Sequence, residues 1–128
     1  MRLTIALAAT VALSAAFAAP TTASPASSKF QLMQTSWTFT DKDGSKVIES
    51  VDADGKYISN LASGKHLDHG TAVMKHGKAC FTSLMSKEGE VCWTTHPVKV
   101  GHALKTVNDK GEKLTVTRVA YKPLHMPK

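Results

Sequence analysis

Beyond its first eighteen residues the chain contains no apolar run that could serve as a membrane helix, and no twelve-residue window with the apolar spacing of an amphipathic helix. Gly or Pro interrupts every candidate. No Asn-x-Ser/Thr sequon occurs, since Asn60 precedes Leu-Ala and Asn108 precedes Asp-Lys. A G-x-S-x-G nucleophile elbow is missing, as is a Gly-rich phosphate loop opening a helix. Nearly every acid sits in or beside a turn, so paired carboxylates for glycoside hydrolysis do not stand out. These absences argue against the common hydrolase and nucleotide-dependent classes, and the chain is expected not to be an enzyme. Only two cysteines occur, Cys80 and Cys92.

What is present begins with an export signal. Arg2 supplies a positive n-region and Leu3 to Ala16 a short apolar core, too short to span a bilayer comfortably. Ala16-Phe17-Ala18 has the small-x-small form that signal peptidase reads. Residues 1–18 are therefore expected to be removed near Ala18. The product would be periplasmic or secreted, with no stable membrane insertion. With no cysteine in the signal there is no lipobox. In an oxidising compartment Cys80 and Cys92 pair most simply as one disulfide, with free buried thiols as the alternative. Cys92 could act as a nucleophile only if Cys80 were not its partner.

The full chain carries 16 Lys+Arg against 10 Asp+Glu. Losing Arg2 leaves fifteen basic and ten acidic residues, a formal +5. Fourteen of the basic residues are lysines scattered among Gly, Ser and Asp. Such scatter solubilises turns and protects strand edges. A nucleic-acid footprint would need clustered charge beside exposed aromatics, so no nucleic-acid partner is expected.

After a Pro-, Ala-, Thr- and Ser-rich stretch, Ala19 to Ser28, turn chemistry punctuates the chain at short intervals. Asp41-Lys42-Asp43-Gly44, Asp52-Ala53-Asp54-Gly55, His76-Gly77, Lys87-Glu88-Gly89 and Asn108-Asp109-Lys110-Gly111 each end on the glycine that tight hairpins require. Between them lie short runs of Val, Ile, Thr and aromatic residues with period-two alternation. The pattern predicts about eight strands, near residues 36–41, 46–52, 56–61, 70–76, 79–85, 90–95, 101–107 and 113–121. A parity flip after Val116 predicts a bulge near Arg118. The expected fold is all-β: an antiparallel up-and-down meander closed into a barrel, with a two-sheet sandwich as the alternative. The expected organisation is a signal over 1–18, a disordered leader over 19–35, one domain over 36–122 and a tail over 123–128.

Two connections exceed the hairpin rhythm, Asn60 to Gly70 and Thr95 to Gly101, and long loops are where binding residues collect. The first carries His66-Leu67-Asp68-His69. His66, Asp68 and His69 are a candidate divalent-metal set if His76, His96 or His102 closes it; otherwise Asp68 caps backbone N–H groups and the histidines face water. The Asp52–Gly55 stretch is a turn and not a calcium loop, since Ser50 and Leu61 occupy the frame positions where that loop needs acids. Trp37, Tyr57 and Trp93 are candidate ligand contacts: an eight-stranded barrel is either filled by side chains or just wide enough for one small molecule. Directly opposed cysteines would centre their hairpin on Ser86, whereas Gly89 centres it nearer residue 87 or 88. The sequence leaves the two in conflict.

Ser36-Trp37-Thr38-Phe39-Thr40 opens the meander in a way that resembles the lipocalin-like barrels, although Thr35 stands where their opening Gly-x-Trp has glycine. In size and strand count, residues 36–121 also resemble the small periplasmic barrels that inhibit bacterial metalloproteases. There an N-terminal arm enters the protease cleft, the part Ala19 to Ser28 would take. Ala79-Cys80-Phe81-Thr82-Ser83 and Val91-Cys92-Trp93-Thr94 resemble uncharacterised exported proteins of alphaproteobacteria, which implies no function. The expected function is a monomeric, non-enzymatic binding module for a small molecule or an exported protein, contacting it at the barrel mouth or long loops. Protease inhibition through the arm and metal binding through His66 and His69 are the alternatives.

Overall fold

The computed structural model describes residues 30–127; the expected signal, its cleavage site and the Ala19–Ser28 leader lie outside the described residues. Eight strands follow in order: β1 (Thr35–Thr40), β2 (Lys46–Val51), β3 (Lys56–Leu61), β4 (His66–Lys75), β5 (Lys78–Ser83), β6 (Glu90–Thr94), β7 (Ala103–Val107) and β8 (Lys113–Val119). Each pairs antiparallel with its sequence neighbour, and β8 returns to β1. Only β6 and β7 lack a ladder, so the sheet is a nearly closed up-and-down barrel.

The hairpins explain the punctuation. At residues 41–45, 52–56 and 108–112 the same device recurs. The side-chain oxygen of Asp41, Asp52 or Asn108 accepts two backbone N–H groups, and the glycine three residues on takes φ near +80°. The β3–β4 hairpin uses the same backbone turn, with Gly64 N–H donating to Leu61 and Leu61 N–H to Lys65, but without the Asp or Asn. Lacking that signal, Asn60 to Gly70 reads from sequence as a long connection. In fact β4 begins at His66. A register shift disguises the strand: Ser59 pairs with Asp68 and Asn60 with His66, leaving Leu67 as an extra residue. A second irregularity lies opposite Arg118, as the parity flip suggests. There β8 pairs regularly with β1, but Arg118 N–H donates to the His102 carbonyl while its own carbonyl accepts the N–H of Gly101, at φ 90°, so two residues oppose one.

Cys80 and Cys92 form a disulfide between directly opposed residues 3.9 Å apart at Cα. The register centres the β5–β6 hairpin on Ser86. Ser83 Oγ accepts the N–H groups of Met85 and Ser86, and Gly89 ends the loop at positive φ. The conflict over this hairpin thus resolves in favour of the cysteine register, with a loop longer than the glycine alone suggests.

At the β6–β7 seam side chains stand in for the ladder. Cys92 N–H donates to the Asp109 carboxylate at 3.0 and 3.2 Å, and Asp109 N–H donates to the Cys92 carbonyl. Thr106 Oγ1 donates to the Thr94 carbonyl at 2.6 Å, and Val107 N–H to Thr94 Oγ1 at 3.2 Å. The β6–β7 connection crosses one barrel end and is tied to Arg118, whose guanidinium donates to the Val98 carbonyl at 2.8 Å.

The same end is sealed by residues the sequence assigned to the leader. Leu32 is 3% exposed within a cluster of Val51, Tyr57, Ala72 and Ala79, with Phe30 and Met33 packed on it. Gln34 at φ 59° turns the segment inward. Thr35 Oγ1 holds the turn, donating to the Leu32 carbonyl at 2.6 Å and accepting the Trp37 indole N–H at 2.9 Å. The packed unit therefore starts at or before Phe30 and not at Ser36. Its other margin is fixed on the outer face, where Ser50 Oγ donates to the Lys122 carbonyl and Lys122 N–H donates to Ser36 Oγ. Leu32→Ala is expected to lower the unfolding free energy by about 2–4 kcal/mol, read by urea denaturation with an unchanged slope.

Candidate ligand site

Strand alternation decides which side chains enter the barrel. Directly opposed residues share a face, so the register carries one interior row from strand to strand: Arg118, Trp37, Glu49, Ser59 and Asp68. A second interior set holds Tyr57, Gly70 and Ser83. Gly70 is required there, because a Cβ would collide with the Thr82 carbonyl where β4 and β5 draw together.

The interior is not filled. A cavity of about 340 Å³ runs from Phe30 and Leu32 at the sealed end to Lys42, Glu88, Lys110 and Glu112 at the other. Trp37, Tyr57 and Trp93 all line it, with Phe39, Phe81, Val91 and Leu104. Its mouth is ringed by the hairpins at 41–45, 84–89 and 108–112. Lys42 meets Glu112 at 2.8 Å and Lys110 meets Glu88 at 3.8 Å, linking the three hairpins by exposed pairs of small energy.

Besides Glu88 and Glu112 at the mouth, two carboxyl groups line this space, and their circumstances differ. Asp68 is fully supplied with donors: Tyr57 OH to Oδ2 at 2.7 Å, and Ser83 Oγ and the His69 backbone N–H to Oδ1. Glu49 receives one bond, from Ser59 Oγ to Oε1 at 2.7 Å, and among the described residues its other oxygen has no partner. Burial pushes the Glu49 carboxyl up to about 7; the Ser59 bond opposes this and the Asp68 charge adds to it. Burial, with Asp68 accepting its proton, likewise raises the Tyr57 hydroxyl above the usual phenol range. A carboxyl that titrates near neutrality can exchange protons, but neither histidine nor free thiol lines the cavity to act beside it.

The metal candidates do not converge. His66 and His69 lie on the outer face, where His66 Nε2 is 3.0 Å from His69 Nδ1 and His66 Nδ1 is 2.8 Å from Asn60 Oδ1. Asp68 points the opposite way, into the barrel. The bulge at Leu67 is what brings both histidines to one face. Cys80, Glu90 and Cys92 also cluster, but the disulfide consumes both sulfurs.

Sequence reasoning missed Glu49, Ser59 and Ser83. Of its two readings of Asp68, the backbone cap is present in the His69 N–H bond, while the contacts to Tyr57 and Ser83 were not foreseen. A signal existed for Glu49, which stands in the inward register between Val47 and Val51. No family model matches the chain, and neither do curated proteins or solved structures.

Glu49 has a consequence for stability. Its native carboxyl binds a proton at higher pH than the ordinary value of 4.5. The native state therefore holds more protons than the unfolded chain between those values, and this contribution is present below about 4.5 and lost as pH rises through about 7. Glu49→Gln should thus gain stability relative to the parent as pH rises from 5 to 8, by up to about 3 kcal/mol in paired urea titrations.

Proposed function

We propose that this is an exported, non-enzymatic binding module that holds one small, largely apolar molecule inside its barrel, admitted at the mouth between the hairpins at 41–45, 84–89 and 108–112. The observation that carries the reading is the unfilled interior. Closely packed proteins leave few voids larger than a water molecule, and a volume of about 340 Å³ lies in the range of small-molecule sites. The site is mostly aromatic and aliphatic with a few fixed polar groups, the usual composition for one oriented ligand. Trp37, Tyr57 and Trp93 are its principal apolar contacts.

Export rests on the Arg2 to Ala18 signal and is in keeping with the Cys80–Cys92 bridge. Aromatic and aliphatic side chains line the interior while the strand lysines Lys46, Lys56, Lys75, Lys78, Lys105 and Lys113 face out, the reverse of a membrane-spanning barrel. The alternatives have less beneath them. The inhibitory arm would follow from residues outside those described, and the described segment beside it is buried in the barrel end. The metal reading has two adjacent imidazoles and, among the described residues, no third His, Cys, Asp or Glu grouped with them.

The neutral dye N-phenyl-1-naphthylamine should bind the processed protein with one-to-one stoichiometry and quench Trp37 and Trp93. Val91→Trp, which fills the cavity wall near the mouth, should weaken binding at least tenfold while keeping the disulfide. Undiminished dye binding by that variant would place the site elsewhere. Native mass spectrometry of protein taken from the cells that export it should show a retained small molecule.

A further inference from the structure

We propose that the interior site selects an organic cation, an ammonium group carried on an aromatic or aliphatic body, with Glu49 as its counter-ion. This rests on the cavity being a ligand site and adds the charge of the ligand.

The argument starts from an imbalance. Asp68 has three donors on its two oxygens, whereas Glu49 has one donor and a vacant oxygen on the cavity wall. The groups around Glu49 do not correct this. β1 offers Trp37, β3 offers Ser59 and Tyr57, and β4 offers Asp68, a second negative charge. From β8, the Arg118 guanidinium is held by the Val98 carbonyl. At the mouth Lys42 is paired with Glu112 and Lys110 with Glu88. Among the described residues the cavity lining therefore offers Glu49 no free cation: Arg118 is not part of the lining, and Lys42 and Lys110 are engaged at the mouth.

A ligand that completes this site must donate to Glu49 and neutralise it. An anion is repelled by both carboxylates, and a neutral donor leaves the charge uncompensated. A divalent metal would find one vacant carboxylate oxygen and no imidazole, too few ligands to displace its water. An alkylammonium meets the requirement, and Trp37, paired directly opposite Glu49 and lining the same cavity, is an aromatic neighbour for that charge. Trp93, Phe81 and Val91 take the apolar remainder. In the empty protein a proton occupies this role, since Glu49 titrates near 7, so amine and proton compete.

Three probes of one shape separate the possibilities: tryptamine, neutral 3-propylindole and anionic indole-3-propionate, titrated calorimetrically into the processed chain. At pH 8 tryptamine should bind at least tenfold more tightly than 3-propylindole, with the acid weakest. Between pH 8 and pH 6 tryptamine stays charged while Glu49 becomes mostly protonated, so its affinity should fall about tenfold and that of 3-propylindole should not change. Glu49→Gln, checked by near-ultraviolet circular dichroism, should lose both the preference and its pH dependence. Should that variant fail to fold, the pH comparison on the parent decides. Equal binding of all three probes would overturn the charge selectivity and leave the cavity reading standing. No binding by any would remove the cavity reading, and this proposal with it. A preference that survives in folded Glu49→Gln would remove Glu49 as the counter-ion.

Discussion

Closing eight short strands into a cylinder commits every second side chain to an interior of fixed width, and most of this molecule follows from how unevenly that interior is filled. At one end Leu32, Val51, Tyr57 and Ala79 form a buried cluster, and the segment from Phe30 to Gln34 stoppers the barrel. Toward the other end the inward positions of β6, β7 and β8 hold Val91, Thr106, Leu114 and Val116, side chains too small to meet across the middle. The result is a blind cavity with a packed floor and a mouth of turns.

Burying carboxyl groups in such a space is costly unless donors or a proton offset the lost hydration. The barrel uses both routes, on strands β4 and β2 either side of β3. Asp68 is met by three donors, Tyr57, Ser83 and a backbone N–H. Glu49 has only Ser59 and answers burial with a raised affinity for protons. The two acids lie in one interior row with Ser59 between them, and the Asp68 charge disfavours ionisation of Glu49.

The disulfide belongs to the same economy of closure. β6 has a ladder on one side only, against β5, and the Cys80–Cys92 bridge spans that pair. On its free side Asp109, Thr106 and Thr94 satisfy backbone groups that an open edge would leave to solvent or to another chain. One of the two edge strands of the sheet is therefore held covalently.

Local chemistry made much of this legible in advance. Strand number, antiparallel order, the glycine-ended hairpins and the cysteine pair depend on residues a few positions apart, so the sequence determined them. Alternation also placed Trp37, Tyr57 and Trp93 on apolar faces. What failed was β4: one extra residue at Leu67 shifted the alternation, hid the strand and made His66, Asp68 and His69 look like a single loop. The tertiary structure alone decided that Asp68 faces inward and the histidines outward. It also decided that Leu32 plugs the barrel and that Glu49 is left short of donors beside Trp37. Each of these depends on the register between strands, which is set by how distant segments fit around one closed wall and is carried by no short stretch of the chain.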